Sequence, residues 1–271
     1  MTPLFATESF RLYLVTSGML LWFLLVIMLI FVELGWRIGI HLSSKRGVKK
    51  MDASDTFLAS IFGLLALLIA ITFSGASDRF DKRRDLIVQE VSAIGTAYQS
   101  IDLLAKKDQP QIREIFKRYI DSRINLYKSN DTLVEAHLEK KVAAHNAIGD
   151  EIWKAAVGAV EDTAYPQKLI AAQILPQLSD MFTASENQRL ASKFHPPPII
   201  VQALVGLAFI GSLIAGYNMG IEQGRDWLLT IIFVFLMSGT IYVIMGLEYP
   251  RLGKDKLDNF DVELVTLRKS F

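Results

Sequence analysis

Cysteine is absent from the 271 residues, which excludes disulfides, zinc–thiolate sites, cysteine-ligated clusters and thiol nucleophiles. Net charge is almost absent too. With 29 Lys+Arg against 28 Asp+Glu, there is no basic excess to attract nucleic acid, and none is expected as a partner. Phosphate-binding glycine loops, nucleophile elbows and paired catalytic carboxylates are missing, so nothing in the chain supports an enzyme. No stretch alternates apolar and polar residues for long enough to make a strand. Histidine is sparse: His41, His137, His145 and His195 are scattered, and none has a carboxylate or second histidine one helical turn away. Lys141, one turn from both His137 and His145, would repel a metal ion. These histidines therefore read as surface or packing residues, with no metal and no cofactor.

What the chain has in abundance is apolar residues, 51% of the total, at a mean hydropathy of +0.31. That is high for a soluble protein and low for one wholly embedded in lipid, so a membrane part and a polar part are expected together. Crossing about 30 Å of hydrocarbon takes about 20 helical residues. Four uncharged stretches qualify: Leu12–Val32, Thr56–Ser77, Pro196–Ile221 and Trp227–Leu247. The first is too long for a signal core and no small-residue cleavage site follows Glu33, so it reads as a retained anchor. The expected layout is a first membrane pair within residues 1–77, a soluble domain over 78–195, a second pair over 196–247 and a tail from 248 to 271.

The soluble stretch carries equal numbers of acidic and basic residues and reads as helical throughout. Apolar residues recur at Phe80, Ile87, Val91, Ile94, Tyr98 and Ile101, the spacing of one buried helix face. Neither a proline nor a break stands between this pattern and the second span, which is predicted to run on as one helix to about Leu104. Asp108-Gln109-Pro110 offers a cap and a first-turn proline for the next helix. After a break at Ser129-Asn130-Asp131-Thr132, a helix from Thr132 to Asp162 is expected, then a last one to Phe194 that bends at Pro176. The proline triplet at 196–198 separates it from the third span.

With four spans, the amino terminus, the soluble domain and the tail share one side of the membrane. Juxtamembrane basic residues are more numerous there, with Arg11, Arg79, Lys82, Arg83, Arg84, Arg189, Lys193, Arg251, Lys254 and Lys256 against Arg37, Lys45, Arg46, Lys49, Lys50 and Arg225. Because basic residues are retained inside, a cytoplasmic soluble domain is expected. The Lys45–Lys50 cluster in its short loop argues the other way.

Projected in steps of three and four, Thr56, Ser60, Gly63, Leu67, Ile71, Ser74 and Asp78 form one stripe on the second span. Its ends are polar and its middle is apolar. Small residues along it suit close helix packing. Several copies around an axis would instead make a pore in which Leu67 and Ile71 form a constriction that gates by dewetting. At its charged end, Asp78, Asp81 and Asp85 alternate with Arg79, Lys82, Arg83 and Arg84, a cluster that either attracts ions or pairs along the helix surface.

The segment LIAITFSGASDRFDKRRDLIVQEVSAIGTAY, with LEYPRLG far downstream, resembles a family of bacterial membrane proteins described as bestrophin-like. The likeness extends in layout over nearly the whole chain. Bestrophins are pentameric anion channels whose second helix lines a narrow apolar neck and continues into the cytosol. Laying their Asp-Arg-aromatic step over Asp78-Arg79-Phe80 puts the neck on Gly63, Leu67 and Ile71, while the bulky aromatics typical of that neck are missing here. The resemblance implies a pentamer in the bacterial inner membrane conducting ions, anions among them. The residues themselves leave open a second reading, a non-conducting scaffold whose soluble domain binds a partner protein. Pro250, which cannot continue a helix, should turn the tail onto a neighbouring domain, and deleting the residues after Gly253 should then reduce assembly.

Overall fold

The computed structural model describes residues 19–46, 52–128, 135–249 and 258–271. All secondary structure among them is helical: α1 (Met19–Arg46), α2 (Asp52–Gln99), a 3-10 turn at Ser100–Leu103, α3 (Gln109–Lys128), α4 (Glu135–Glu161), α5 (Gln167–Ala171), α6 (Ile174–Lys193), α7 (Pro198–Ile221), α8 (Trp227–Glu248) and α9 (Asp258–Lys269). Four of these, α1, α2, α7 and α8, are long and apolar enough to cross a membrane. The described residues divide into two units, 19–80 with 195–249 and 81–194 with 258–271.

In the first unit the closest contact is between α1 and α7, and glycine makes it possible. A Cβ added at Gly35 would lie 2.0 Å from the Leu213 carbonyl oxygen, and one at Gly216 would lie 2.0 Å from that of Val32. One turn further on, Gly39 and Gly220 repeat the arrangement against Tyr217 and Trp36. Two Gly-x-x-x-Gly pairs thus face each other, and backbone meets backbone where any side chain would hold the helices apart. Leu24, Met28, Leu65, Ala76, Leu204, Ala208, Val234 and Ile241 fill the remaining interior. At the start of α7, Pro197 is the extended cap and Pro198 the first helical residue, where a missing N–H is harmless. The Asp226 carboxylate opens α8 by accepting from the Leu229 N–H at 3.0 Å.

The second unit is built around α3, whose Ile112, Phe116, Tyr119 and Ile120 are buried against Ile94, Ile101, Ile152, Ile174 and Leu178. Leu264 of α9 joins the same core. Phe271 stacks on Tyr98 at 3.5 Å between ring centres, and Arg268 forms a two-bonded pair with Asp121 at 2.8 and 3.0 Å. The tail is therefore a helix packed within its own chain's second unit.

One expectation is extended and one corrected. The helix that carries the first span runs on past Val32 to Arg46: Glu33 and Arg37 pair one turn apart at 2.8 Å, and Arg225, which also binds Glu33, has its guanidinium carbon over the Trp36 and Trp227 rings at 4.1 Å from each. Mutual neutralisation lets charged residues stand in a helix that hydropathy alone would end. Pro176 bends nothing, since the chain breaks earlier, around Ala172–Gln173, and leaves Pro176 in the first turn of α6, where no intrahelical N–H is lost. Residues 12–18 of the expected first span, the break at 129–132 and the start of the helix expected at Thr132, Pro250 and Gly253 lie outside the described residues, as do the side chains of Arg11, Lys45, Arg46, Lys49, Lys50, His137, Lys193, Arg251, Lys254 and Lys256.

Candidate functional site

The site is a face of α2, and its geometry follows from which residues that helix buries. Within the membrane unit Leu65, Thr72 and Ala76 are buried, while Phe62, Leu68 and Ile69 are partly covered by the core. The Phe62 ring meets Phe233 of α8 edge-on at 5.3 Å. On every turn of the span the opposite face looks outward. Thr56, Ser60, Gly63, Leu67, Ile71, Ser74 and Asp78 are all exposed on the single chain, Leu67 by 58% and Ile71 by 61%. At about 100° per residue, these seven fall within roughly 40° of Leu67 on either side. Leu64, Ala66, Ala70 and Phe73, also exposed, flank them. The stripe thus occupies the middle of the uncovered face of the least buried of the four spans.

Polar groups along the span are quiet. The Ser60 hydroxyl donates to the Thr56 carbonyl at 2.8 Å, and Thr72 donates to Leu68 at 2.8 Å. Backbone bonds of this kind let hydroxyls sit in an apolar setting. Phe57 and Leu64 on the flanks offer apolar surface that lipid or another helix can cover.

At the charged end the residues of the cluster take different roles. Arg79 Nε donates to Glu248 Oε1 at 2.9 Å, with Nη2 on the same oxygen. Glu248 itself is buried at the end of α8, where His195 Nδ1 approaches its second oxygen at 4.0 Å. Arg83 is buried in the second unit and donates to the Phe194 carbonyl at 2.8 Å and the Ala191 carbonyl at 3.3 Å. It therefore caps the carboxyl end of α6, whose last carbonyls lack helical partners. Lys82 and Arg84 remain exposed, Arg84 in a 3.3 Å pair with Asp81. Asp78, Asp81 and Asp85 are exposed beside them.

Glu248 and Glu90 were not legible as partners from sequence. Glu90 is fully buried and holds Arg123 through two bonds, 2.6 and 2.7 Å, with Gln188 accepting a third at 2.7 Å. The available signal was position: Glu90 falls on the buried face between Ile87 and Ile94, where an unpaired carboxylate would be very costly. Among the described residues no three potential ligands converge as a metal site.

A family model described as a Bestrophin-like domain matches residues 43–254. Among solved structures, a bacterial bestrophin homologue from Klebsiella pneumoniae with a tyrosine-to-alanine change is 15% identical over 91% of this chain and 98% of its own, at a TM-score of 0.61. The same homologue solved by zinc phasing gives 14% identity, coverage of 93% and 98%, and a TM-score of 0.60. A tryptophan-to-alanine variant gives 12%, 92% and 97%, and 0.65. At such identities the likeness is one of fold. No curated protein matches this chain. Four helices able to cross a membrane, a second one that runs unbroken out of the apolar stretch, and a family match over most of the chain lead to one conclusion: this multi-pass membrane protein belongs to the bestrophin-like family.

Proposed function

We propose that the chain assembles as a homo-oligomer, a pentamer by family resemblance, and forms an ion channel lined by Ser60, Gly63, Leu67, Ile71, Ser74 and Asp78. One observation supports this above all: the stripe lies at the centre of the only broad uncovered face of α2 among its described residues, with polar groups at both ends and leucine and isoleucine between. A single copy leaves that face to lipid, which has no use for the carboxylate of Asp78. Copies arranged about an axis would turn it onto water.

In such an assembly Leu67 and Ile71 form successive apolar rings that empty of water when narrow. The helix then carries the path onward past Asp78, where exposed Asp81, Lys82, Arg84 and Asp85 balance one another. Asp78 leaves each chain one negative charge in excess there, which by itself favours cations, so conduction of anions rests on the family resemblance alone and the neck sets the barrier. The bacterial inner membrane, with the second unit in the cytoplasm, is the location that the basic residues and the family support.

Flux of chloride and of potassium through liposomes holding the purified protein tests this. Leu67→Ala and Ile71→Ala should each widen the neck and raise flux several-fold, while Leu68→Ala, about 100° round the helix and packed on the core, should not. Unchanged flux in the first two together with altered flux in the third would make the stripe a packing seam. A monomer in detergent at micromolar concentration, or no flux at all, would favour the scaffold reading.

A further inference from the structure

The second unit contains a cavity of about 470 Å³ between α3, α4 and α6 that plays no part in the stripe. Its volume is in the range of small-molecule sites, about 300–1,000 Å³. Tyr119, Arg123 and His145 line its inner end, and Val142 and Phe182 stand along its sides.

His145 is the anomaly. It is only 4% exposed, yet neither ring nitrogen has a hydrogen-bond partner among the described residues. The polar groups beside it are satisfied: Arg123 is held by Glu90 and Gln188, and the Tyr119 hydroxyl bonds to Ser185. A buried polar group left unmade costs about 1–3 kcal/mol. A phenylalanine would fill the same place against Tyr119 without that cost. A single water could bond one nitrogen, but the space is many times larger than a water needs.

The chemistry of the lining restricts what could occupy it. Burial, and then the charge of Arg123, hold His145 down to about 4, so at neutral pH the ring presents one donor and one acceptor. Arg123 is paired with Glu90 and Arg189 with Glu186, which leaves the exposed Asp150 as the remaining charge of the lining, so the inner end beside His145 favours a ligand without net charge. Three rings meet in the lining: that of Tyr119 lies 4.3 Å from the His145 ring and 6.2 Å from that of Phe182, the latter edge-on at 70°. Rings beside the unpartnered imidazole, with polar groups around them, suit a flat ligand with a polar edge.

We propose that this cavity binds an uncharged planar nitrogen heterocycle of nucleobase size, whose edge is hydrogen-bonded by His145. The site is independent of whether the protein conducts.

Equilibrium binding of radiolabelled adenine and of nicotinamide to the full-length protein in detergent tests it. At least one should bind saturably, with one site per chain and a Kd of about 1 mM or tighter, as expected for a ligand of so few atoms. His145→Phe keeps the ring on Tyr119 but removes both hydrogen-bonding nitrogens, and should weaken binding at least about tenfold. Val142→Trp fills the side of the cavity without touching His145 and should abolish binding. Circular dichroism confirms that both variants are folded, and if His145→Phe fails to fold, Val142→Trp carries the test alone. Absence of saturable binding of both compounds to the unaltered protein, or undiminished binding to the folded variants, would overturn the proposal.

Discussion

The two units differ in what brings their helices closest, although each pairs a buried carboxylate between helices, Glu248 with Arg79 in the first and Glu90 with Arg123 in the second. In the membrane unit the tightest contact has almost no side chain in it: Gly35 and Gly39 lie against the backbone of α7, and Gly216 and Gly220 against that of α1. Buried hydroxyls there bond within their own helices, as Ser212 does to Ala208 and Thr230 to Asp226, at 2.8 and 2.7 Å, while Ser238 reaches the Met28 sulfur at 3.4 Å. In the second unit large side chains fill the core, and buried charge is paired between helices, Glu90 of α2 with Arg123 of α3 and Gln188 of α6. The difference follows from solvent. Lipid removes the hydrophobic drive between helices and leaves shape to hold them, whereas water rewards apolar burial and tolerates a buried ion pair only when it is completely hydrogen-bonded.

That contrast is open to attack at several points. The largest effect is expected at Gly216, because Gly216→Leu must force α1 and α7 apart. The loss should be at least about 3 kcal/mol, the upper end for overpacking, read as collapse of the monodisperse yield in detergent. Gly206→Leu on the same helix, where an added Cβ meets nothing within 4 Å, is the control. Equal yields would mean that shape does not hold the membrane unit.

Next comes the buried pair. Glu90→Gln or Arg123→Met strands a partner and should cost about 3–5 kcal/mol, seen as a lower midpoint of thermal unfolding. Replacing both, as Glu90→Leu with Arg123→Met, should recover most of the loss. If the double variant melts no higher than the singles, hydrogen-bonding completeness is not what makes the pair tolerable.

A smaller effect is tied to pH. His145 has its folded pKa lowered to about 4 from the usual 6.5, so between those values the unfolded chain binds more protons than the folded one. Stability is therefore full above about pH 6.5 and falls as pH drops towards 4, by up to about 3 kcal/mol. Unfolding midpoints compared between pH 7 and pH 4.5 should show a drop that is smaller in His145→Phe. Identical drops in the two proteins would place the acid sensitivity elsewhere. The smallest effect belongs to the partly exposed pair of Arg268 with Asp121. Arg268→Gln should shift stability by less than about 1 kcal/mol, and a loss as large as that at Arg123 would erase the distinction between buried and surface charge.

Much of the fold was legible because the signals run along the chain. The polar-to-apolar transitions mark α2, α7 and α8 closely, and the spacing from Phe80 to Ile101 shows that α2 continues. The continuation of α1 past Val32 is not legible in sequence, because Glu33 and Arg37 end the apolar run and their partner Arg225 lies nearly two hundred residues away in the chain. For the same reason the Gly-x-x-x-Gly pair at Gly35 and Gly39 fell outside the expected span. The stripe on α2 could be read by projection, but Arg83 could not be told from Lys82 and Arg84. All three are basic residues at the same border, and only the position of the α6 carboxyl end makes one of them a cap.

By itself the sequence determined an all-helical chain with four apolar spans and one helix too long for any membrane. In lipid each helix must satisfy its own backbone, and that is a local property written in consecutive residues. Tertiary structure alone decided which face of α2 the other spans leave uncovered, which glycines meet, and which charges are buried in pairs. Those outcomes depend on how helices far apart in the chain dock, and a side chain's partner across such a contact is set by geometry that no neighbouring residue encodes.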